Sequence, residues 1–350
     1  MLRALSFGIL AFSLSVFATE DLAVPHKIVL SSRVAPVGKS LKRRQLSPAN
    51  VPLADFFLGT DLAVSWWFGN ISVGTPPQDV TVVFDTGSST LEFASTLCST
   101  CSNQTQFNSS KSSTFVDGGR TSTIVFGTGV GVTPVIGDDT NLTQSPDFDI
   151  DPFSGIQGMS AEAQGFFAAL IKRGLPSLFG MFLTPLAVGN AELTIGGIDE
   201  SKFTGELTFA SQAEDSGATW QLNSPGLSVN GKTSSVLDVP RTIIFDSGTS
   251  NILFPTATAE AIYSFISPDI KPNPAEAGTY GIACDLISTL PAVIDITFTS
   301  QEGTPFNLTI PSSELNVGPF ANNASLCLLK HYYSVWDVGN QRMGFAPNGI

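Results

Sequence analysis

Short apolar runs alternate with clusters of Gly, Pro, Asn, Ser and Thr from Trp66 to the end of the chain. This pattern is typical of many short strands joined by tight turns. The stretch "FGNISVGTPPQDVTVVFD" predicts two strands joined at "GTPPQ". Helical signals are few and short, within 162–174 and at 256–266, and a second strand-rich half begins near Lys202. The pattern therefore predicts an all-β fold.

The first residues, "MLRALSFGILAFSLSVFATE", have a different pattern. One arginine precedes about fifteen apolar residues, which is the layout of a secretory signal and is short for a membrane span. We predict a signal peptide at 1–18, with a membrane anchor as the alternative. We expect a secreted, extracellular protein without a membrane segment after signal removal, and delivery to a vacuole through the same entry signal stays open. Six sequons agree with this route and are predicted glycosylation sites: Asn70, Asn103, Asn108, Asn141, Asn307 and Asn323.

A basic segment, 19–44, precedes the strand-rich region. It ends in Lys42, Arg43 and Arg44, on a stretch rich in Pro, Ser and Gly that a processing protease could reach. We interpret this segment as a short propeptide that is removed after Arg44, and a basic leader without an inhibitory role is the alternative. The rest of the chain holds ten basic and 28 acidic residues, a net charge of −18. This charge argues against nucleic-acid binding and favours solubility in acid.

The chain has four cysteines, and in an oxidising compartment an even number favours two disulfides. Three pairings are possible. We favour Cys98 with Cys101 and Cys284 with Cys327, because each pair then stays within its own half. A zinc site is poorly supported, because the chain has a single Cys-x-x-Cys and two histidines. We therefore expect no metal and no cofactor.

One six-residue pattern occurs twice. Phe-Asp-Thr/Ser-Gly-Ser/Thr-Ser occupies 84–89 and 245–250, and each copy follows apolar residues. A single Asp-Thr/Ser-Gly is ordinary turn chemistry. Two copies in matched surroundings indicate instead two halves that bring Asp85 and Asp246 together.

Two neighbouring carboxyl groups, such as those predicted for Asp85 and Asp246, are suited to general acid–base catalysis. They cannot both ionise easily at close distance, so they share a proton and titrate as a unit. One group can then activate a water as general base while the other protonates a carbonyl oxygen. In this scheme Gly87 and Gly248 let the backbone approach the acids, and Ser88 and Thr249 donate hydrogen bonds to the carboxylates.

With these motifs the sequence resembles the pepsin-like aspartic endopeptidases, of the secreted fungal type, from about Trp67 to the C-terminus. Five further segments carry the resemblance. The family's opening hairpin corresponds to "FGNISVGTPPQ" and its flap to "FGTGVG". Its first hydrophobic-hydrophobic-Gly segment corresponds to "DPFSGIQGM" and the stretch leading to the second lobe to "LTIGGID". Its closing strands correspond to "HYYSVWDVGNQRMGFAP".

The resemblance implies two β-barrel-like lobes with the active-site cleft between them, which we place at 45–201 and 202–350. It implies a monomeric endopeptidase that hydrolyses peptide bonds in polypeptide substrates at acid pH and is made as a zymogen with its own propeptide as partner. Asp85 and Asp246 are the implied catalytic pair. The implied flap consists of Phe126, Gly127, Thr128 and Gly129.

Three side chains depart from the family pattern. Phe126 stands where the family usually has a tyrosine, and Glu92 stands where it usually has a tryptophan. Because those two side chains are hydrogen-bonded to each other in the family, their joint replacement is consistent, and we expect apolar packing of the flap through Phe126. Ser154 stands where an aspartate is common.

Two segments are also shorter than in the family. The region 132–150 has room for one strand where the family has more, and 327–331 lacks the glycine of a second hydrophobic-hydrophobic-Gly segment. That segment supports the loop of Asp246, and a displacement of about one ångström can cost about a hundredfold in rate. The alternative function is therefore a catalytically impaired peptidase-fold protein that binds peptides or partners. Our hypothesis is that both gaps are missing coding segments.

Overall fold

The structure is a computed structural model that describes most of the chain after Ser47. The predicted signal peptide and propeptide lie outside the described residues. Every helix among those residues is too short or too polar to cross a membrane. The described ranges are 48–58, 64–98, 101, 104–121, 124–126, 130–136, 140–141, 153–162, 165–184, 190–249, 252–272, 278–287, 289–315 and 332–347.

Strands make up most of the regular structure of the described residues, among which three short α-helices occur. The helices are α1 (Gly165–Lys172), α2 (Thr256–Ile266) and α3 (Cys284–Ile287). The strands are β1 (Ala49–Leu58), β2 (Val64–Val73), β3 (Gln78–Asp85), β4 (Leu91–Phe93), β5 (Arg120–Thr121), β6 (Ile124–Phe126), β7 (Val130–Ile136), β8 (Thr140–Asn141), β9 (Gly155–Gly158), β10 (Leu178–Phe182), β11 (Ala191–Ile195), β12 (Thr208–Ser211), β13 (Gln221–Ser224), β14 (Gly226–Val229), β15 (Arg241–Ile244), β16 (Lys271–Pro272), β17 (Tyr280–Gly281), β18 (Val293–Thr299), β19 (Pro305–Pro311), β20 (Tyr332–Asp337) and β21 (Arg342–Pro347).

A ten-stranded sheet joins the two halves of the chain, in the order β12-β21-β20-β10-β11-β1-β2-β3-β9-β4. Strand β1 connects its two parts, because 49–53 pair with β11 and 54–58 pair with β2. Smaller sheets, β14-β18-β19 and β13-β15, belong to the second half, and β5 to β8 form a sheet in the first. The predicted all-β bilobal fold is confirmed, and the large sheet runs through both lobes.

The predicted local elements agree with the structure. Strands β2 and β3 pair as an antiparallel hairpin around the turn at 74–77. Helix α2 covers the predicted stretch, and its buried residues Thr258, Ile262 and Ile266 recur every fourth position, which places them on one face. Helix α1 lies within the other predicted helical stretch. Helix α3 was not predicted, because four residues are too few to show a period.

An aromatic cluster fills the core where the two halves meet. Phe179 on β10 stacks on Trp336 of β20 with ring centroids 5.1 Å apart. The rings of Phe167 and Trp220 contact Phe179 edge-on, at 5.4 and 6.2 Å. Because these four rings come from both halves and are buried, burial of their apolar surface stabilises the association of the lobes.

Candidate active site

Asp85 lies at the end of a fully covered strand. Strand β3 has β2 as antiparallel neighbour and β9 as parallel neighbour, and its last four residues are all buried. A strand covered on both faces is apolar throughout, as in "VVF". The last residue of this strand is nevertheless an acid, Asp85, which is only 7% exposed.

The segment "GIQGM" holds the loop after Asp85. The backbone N–H groups of Gly158, Met159 and Ser160 donate to the carbonyls of Thr90, Asp85 and Ser88, at 2.6, 2.6 and 3.0 Å. A Cβ added at Gly158 would lie 2.6 Å from the backbone nitrogen of Thr90. The glycine is therefore required for this close approach, because any side chain would push the Asp85 loop away.

The structure brings the two Asp motifs face to face. The carboxyl of Asp246 lies close enough to that of Asp85 to raise its pKa. A Cβ at Gly87 would lie 2.5 Å from Cγ of Asp246, and a Cβ at Gly248 would lie 2.6 Å from Cγ of Asp85. Each glycine thus leaves room for the carboxyl of the opposite lobe. The sequence predicted that the two glycines let the backbone approach the acids, and the structure adds that each glycine faces the acid of the opposite loop.

Thr86 and Ser247 lock the two loops together. The backbone N–H of Thr86 donates to Oγ of Ser247 at 3.0 Å, and the N–H of Ser247 donates to Oγ1 of Thr86 at 2.8 Å. The two hydroxyls then donate across the lobes, Thr86 to the carbonyl of Phe245 at 2.9 Å and Ser247 to the carbonyl of Phe84 at 2.7 Å. The sequence alone did not reveal this role. The signal was present, because a hydroxyl residue follows each Asp in the repeat.

Nearby donors orient both carboxyls. The N–H of Gly87 donates to Oδ1 of Asp85, and that of Gly248 donates to Oδ1 of Asp246, both at 2.8 Å. The Thr249 hydroxyl donates to Oδ2 of Asp246 at 2.6 Å. Ser88 lies close enough to lower the pKa of Asp85, although its buried hydroxyl falls short of hydrogen-bond geometry. Two matched backbone donors and one hydroxyl therefore fix the pair.

Burial dominates the protonation of Asp85. The pKa of its carboxyl is raised from 3.8 to about 7, and loss of surrounding water is the largest cause. The neighbouring carboxyl of Asp246 acts in the same direction, whereas Ser88 and the N–H of Gly87 act in the opposite sense. One proton is accordingly held between the two carboxyls in acid and is lost as the pH rises toward 7.

The second Asp strand is less covered than the first. Among the described residues, β15 pairs with β13 alone, whereas β3 has neighbours on both edges. Ile244 at the end of β15 is 57% exposed, and Asp246 is half-buried. The segment 327–331, which the sequence analysis singled out as lacking a glycine, lies outside the described residues.

Trp220 joins the two lobes behind the pair. Its fully buried indole N–H donates to the carbonyl of Met159 at 2.9 Å, directly beside the segment that holds the Asp85 loop. Its own carbonyl accepts from the N–H of Phe245 at 2.9 Å, one residue before Asp246. A single residue thus connects the supports of both acids.

The other predicted residues fall into three groups. Strands β6 and β7 pair antiparallel where the sequence predicts the flap, with Phe126 opposite Val130, and the predicted flap residues 127–129 lie outside the described residues. Cys98 and Cys101 form a disulfide, whereas Cys327, the predicted partner of Cys284, is also outside them. Asn70 and Asn307 are exposed, Asn108 is partly exposed, and Asn141 lies in β8. The sequons at Asn103 and Asn323 are outside the described residues.

Two carboxyls that share a proton, each on a loop at a strand end, define an aspartic-type hydrolase. The sequence model described as eukaryotic aspartyl protease matches residues 66–145 and 143–330, and the chain belongs to that family. The chain is 31% identical to Pepsin A of Suncus murinus, in an alignment that covers 94% of this chain and 90% of that protein. It is 29% identical to Pepsin A of Rhinolophus ferrumequinum (90% and 88% covered) and 30% identical to Cathepsin E of Aquarana catesbeiana (80% and 79% covered). The chain is an aspartic endopeptidase, as the resemblance implied.

Proposed function

We propose that Asp85 and Asp246 are the catalytic pair and that the protein cleaves extended polypeptides at acid pH. The observation that carries this proposal is the reciprocal packing of the two loops, in which each glycine leaves space for the opposite carboxyl. A structural turn has no need of a buried acid packed against a second, half-buried acid, because burial of a charge is costly. Their retention favours a chemical role.

The shared proton divides the work between the carboxyls. Asp85, whose pKa is raised to about 7 chiefly by burial, holds the proton in acid and delivers it to the carbonyl oxygen of the scissile peptide. Asp246, which receives the Gly248 N–H and the Thr249 hydroxyl, takes a proton from the attacking water. Water then adds to the carbonyl carbon, and the amine leaves after it is protonated. This is the mechanism known for aspartic proteases.

The pKa of Asp85 sets the direction of the pH dependence. The pair needs its proton, so activity declines as the pH rises through the region around 7. The flap hairpin β6–β7 is proposed to cover the peptide in the cleft, with Phe126 near its tip. The proposed lobes are 45–201 and 202–350.

Hydrolysis of an acid-denatured protein tests the proposal directly. The purified chain, processed to remove 1–44, is incubated at about pH 4 with and without a transition-state-mimicking inhibitor of aspartic proteases. We expect new peptides that the inhibitor abolishes. Cleavage that resists the inhibitor would contradict an aspartic mechanism.

A second candidate, a peptide-binding protein with impaired catalysis, is favoured by one observation. The strand leading to Asp246 ends in an exposed Ile244, so the second acid has less packing around it than the first. Binding of the inhibitor, measured by calorimetry, without any turnover would support this candidate. Sequencing of the transcript would show whether the short segments at 132–150 and 327–331 belong to the natural message.

We also propose that the protein is secreted as a monomeric zymogen. The apolar N-terminus supports a signal peptide at 1–18, and the basic segment 19–44 supports a propeptide that binds the acidic mature region. N-terminal sequencing of the protein from culture medium is expected to give Gln45 as the first residue. A start at Met1 would contradict both processing steps.

A further inference from the structure

Glu92 is a buried acid that the proposed reaction does not use. It lies in the middle of β4 and is 4% exposed. It is opposite Ile156 of β9, which in turn is opposite Val83 of β3, so these three residues share one face of the sheet. Its neighbours along this face of the sheet are therefore apolar.

One oxygen of Glu92 is paired and the other is not. The Thr90 hydroxyl donates to Oε1, whereas Oε2 is buried with no hydrogen-bond partner. Strand β9 carries no charged side chain, and the acids of β3 are Asp79 and Asp85, neither of which contributes to the protonation of Glu92. Burial raises the pKa of Glu92, and the Thr90 hydroxyl and the backbone N–H of Glu92 itself oppose this rise.

A short chain of contacts links Glu92 to the catalytic loop. The Thr90 hydroxyl donates to Glu92, and the Thr90 carbonyl accepts from the N–H of Gly158 at 2.6 Å. The next N–H, of Met159, donates to the carbonyl of Asp85 at 2.6 Å. The Cβ-free face of Gly158 packs against the backbone at Thr90. A displacement of Thr90 therefore loosens the segment that positions Asp85.

We propose that Glu92 is a positioning residue of the active site, which in its neutral form anchors Thr90 and keeps the Asp85 loop against β9, so that its ionisation limits activity at higher pH. The inference rests on the proposed function. An ionised carboxylate with one unpartnered oxygen in apolar surroundings is costly, and the cost is relieved when β4 separates from β9 and Glu92 reaches water. The Asp85 loop then loses its support, and this loss adds to the ionisation of Asp85 itself in lowering activity.

Glu92→Gln is the test variant, because glutamine keeps the shape and the acceptor for Thr90 but cannot ionise. The matched control is Glu206→Gln, an exposed acid. We expect the kcat/KM of Glu92→Gln at about pH 4 to be within about threefold of that of the parent. The pH at which its kcat/KM has fallen to half of the maximum should be higher than in the parent by about half a pH unit or more. The control should follow the parent. A Glu92→Gln midpoint equal to that of the parent would contradict the proposal.

Hydrogen exchange provides a second measurement that needs neither the variant nor activity. In the parent, the protection factors of the amides of 88–95, corrected for the intrinsic exchange rate, should fall about tenfold per pH unit. The reason is that local opening lets Glu92 ionise and thus releases one proton. Constant protection across the range would overturn the proposal, whether or not Glu92→Gln folds. An inactive parent with the expected exchange would support the role of Glu92 and refute the proposed function instead.

Discussion

Replacement of Asp85 by asparagine should change how stability depends on pH. Asp85 has a pKa of about 7 in the folded protein against an ordinary value of 3.8, and burial is the main cause. Between these values the folded state holds a proton that the unfolded state has released. The free energy of unfolding of the parent therefore falls as the pH rises. A shift of about three units corresponds to about 4 kcal/mol.

The amide introduced by Asp85→Asn cannot ionise, so the variant escapes this loss. Relative to the parent, the variant should gain about 1–2 kcal/mol between about pH 3 and pH 5, and about 4 kcal/mol in total by about pH 8. Urea unfolding followed by tryptophan fluorescence measures the difference, with short incubations and a gel to exclude self-digestion of the parent. The variant and the parent should be equally stable near pH 3 apart from a constant offset.

The control for this experiment is Asp215→Asn. Asp215 is exposed, and its backbone φ of 63° is a conformation that asparagine adopts readily. We expect its stability to follow the parent within about 0.5 kcal/mol at every pH. If Asp85→Asn also follows the parent within about 1 kcal/mol from pH 3 to pH 8, burial of Asp85 does not control its proton and the reasoning is refuted.

Three further substitutions test the contacts around the pair. Thr86→Val removes two cross-lobe hydrogen bonds and should lower kcat about a hundredfold and the free energy of unfolding by about 2–4 kcal/mol. Thr86→Ser keeps the hydroxyl and should retain the kcat and the stability of the parent. Equal behaviour of the two variants would contradict the role of the hydroxyl. Gly248→Ala should lower kcat at least about a hundredfold, since its methyl group meets the opposite carboxyl, and full activity would rule out the close packing. Trp220→Phe leaves the buried carbonyl of Met159 without its donor and should lower the free energy of unfolding in urea by about 1–3 kcal/mol. An unchanged urea midpoint would contradict this expectation.

Local features of the sequence predicted the parts of the site that each half forms on its own. The repeat identified Asp85 and Asp246, and the alternation of apolar and turn residues identified the hairpin before Asp85. The helix at 256–266 was also visible, because its apolar residues follow the helical period. These features depend on residues that are close in sequence.

Contacts between the halves could not be read in the same way. The exchange of hydrogen bonds between Thr86 and Ser247 joins residues 161 positions apart, and the sequence shows only that each Asp is followed by a hydroxyl residue. The continuous sheet through β11, β1 and β20 depends on pairing between distant strands, whose partners no local period specifies. The unpartnered oxygen of Glu92 likewise follows from burial and not from residue type.

The central claim is that the two carboxyls act together as the catalytic pair. Its most direct test compares the parent with Asp85→Asn and Asp246→Asn in the cleavage of a denatured protein at about pH 4, with a cooperative urea-unfolding transition as the check that each variant folds. The account predicts that each variant loses on the order of a thousandfold or more in kcat/KM. Cleavage by either purified variant within about tenfold of the parent would contradict it.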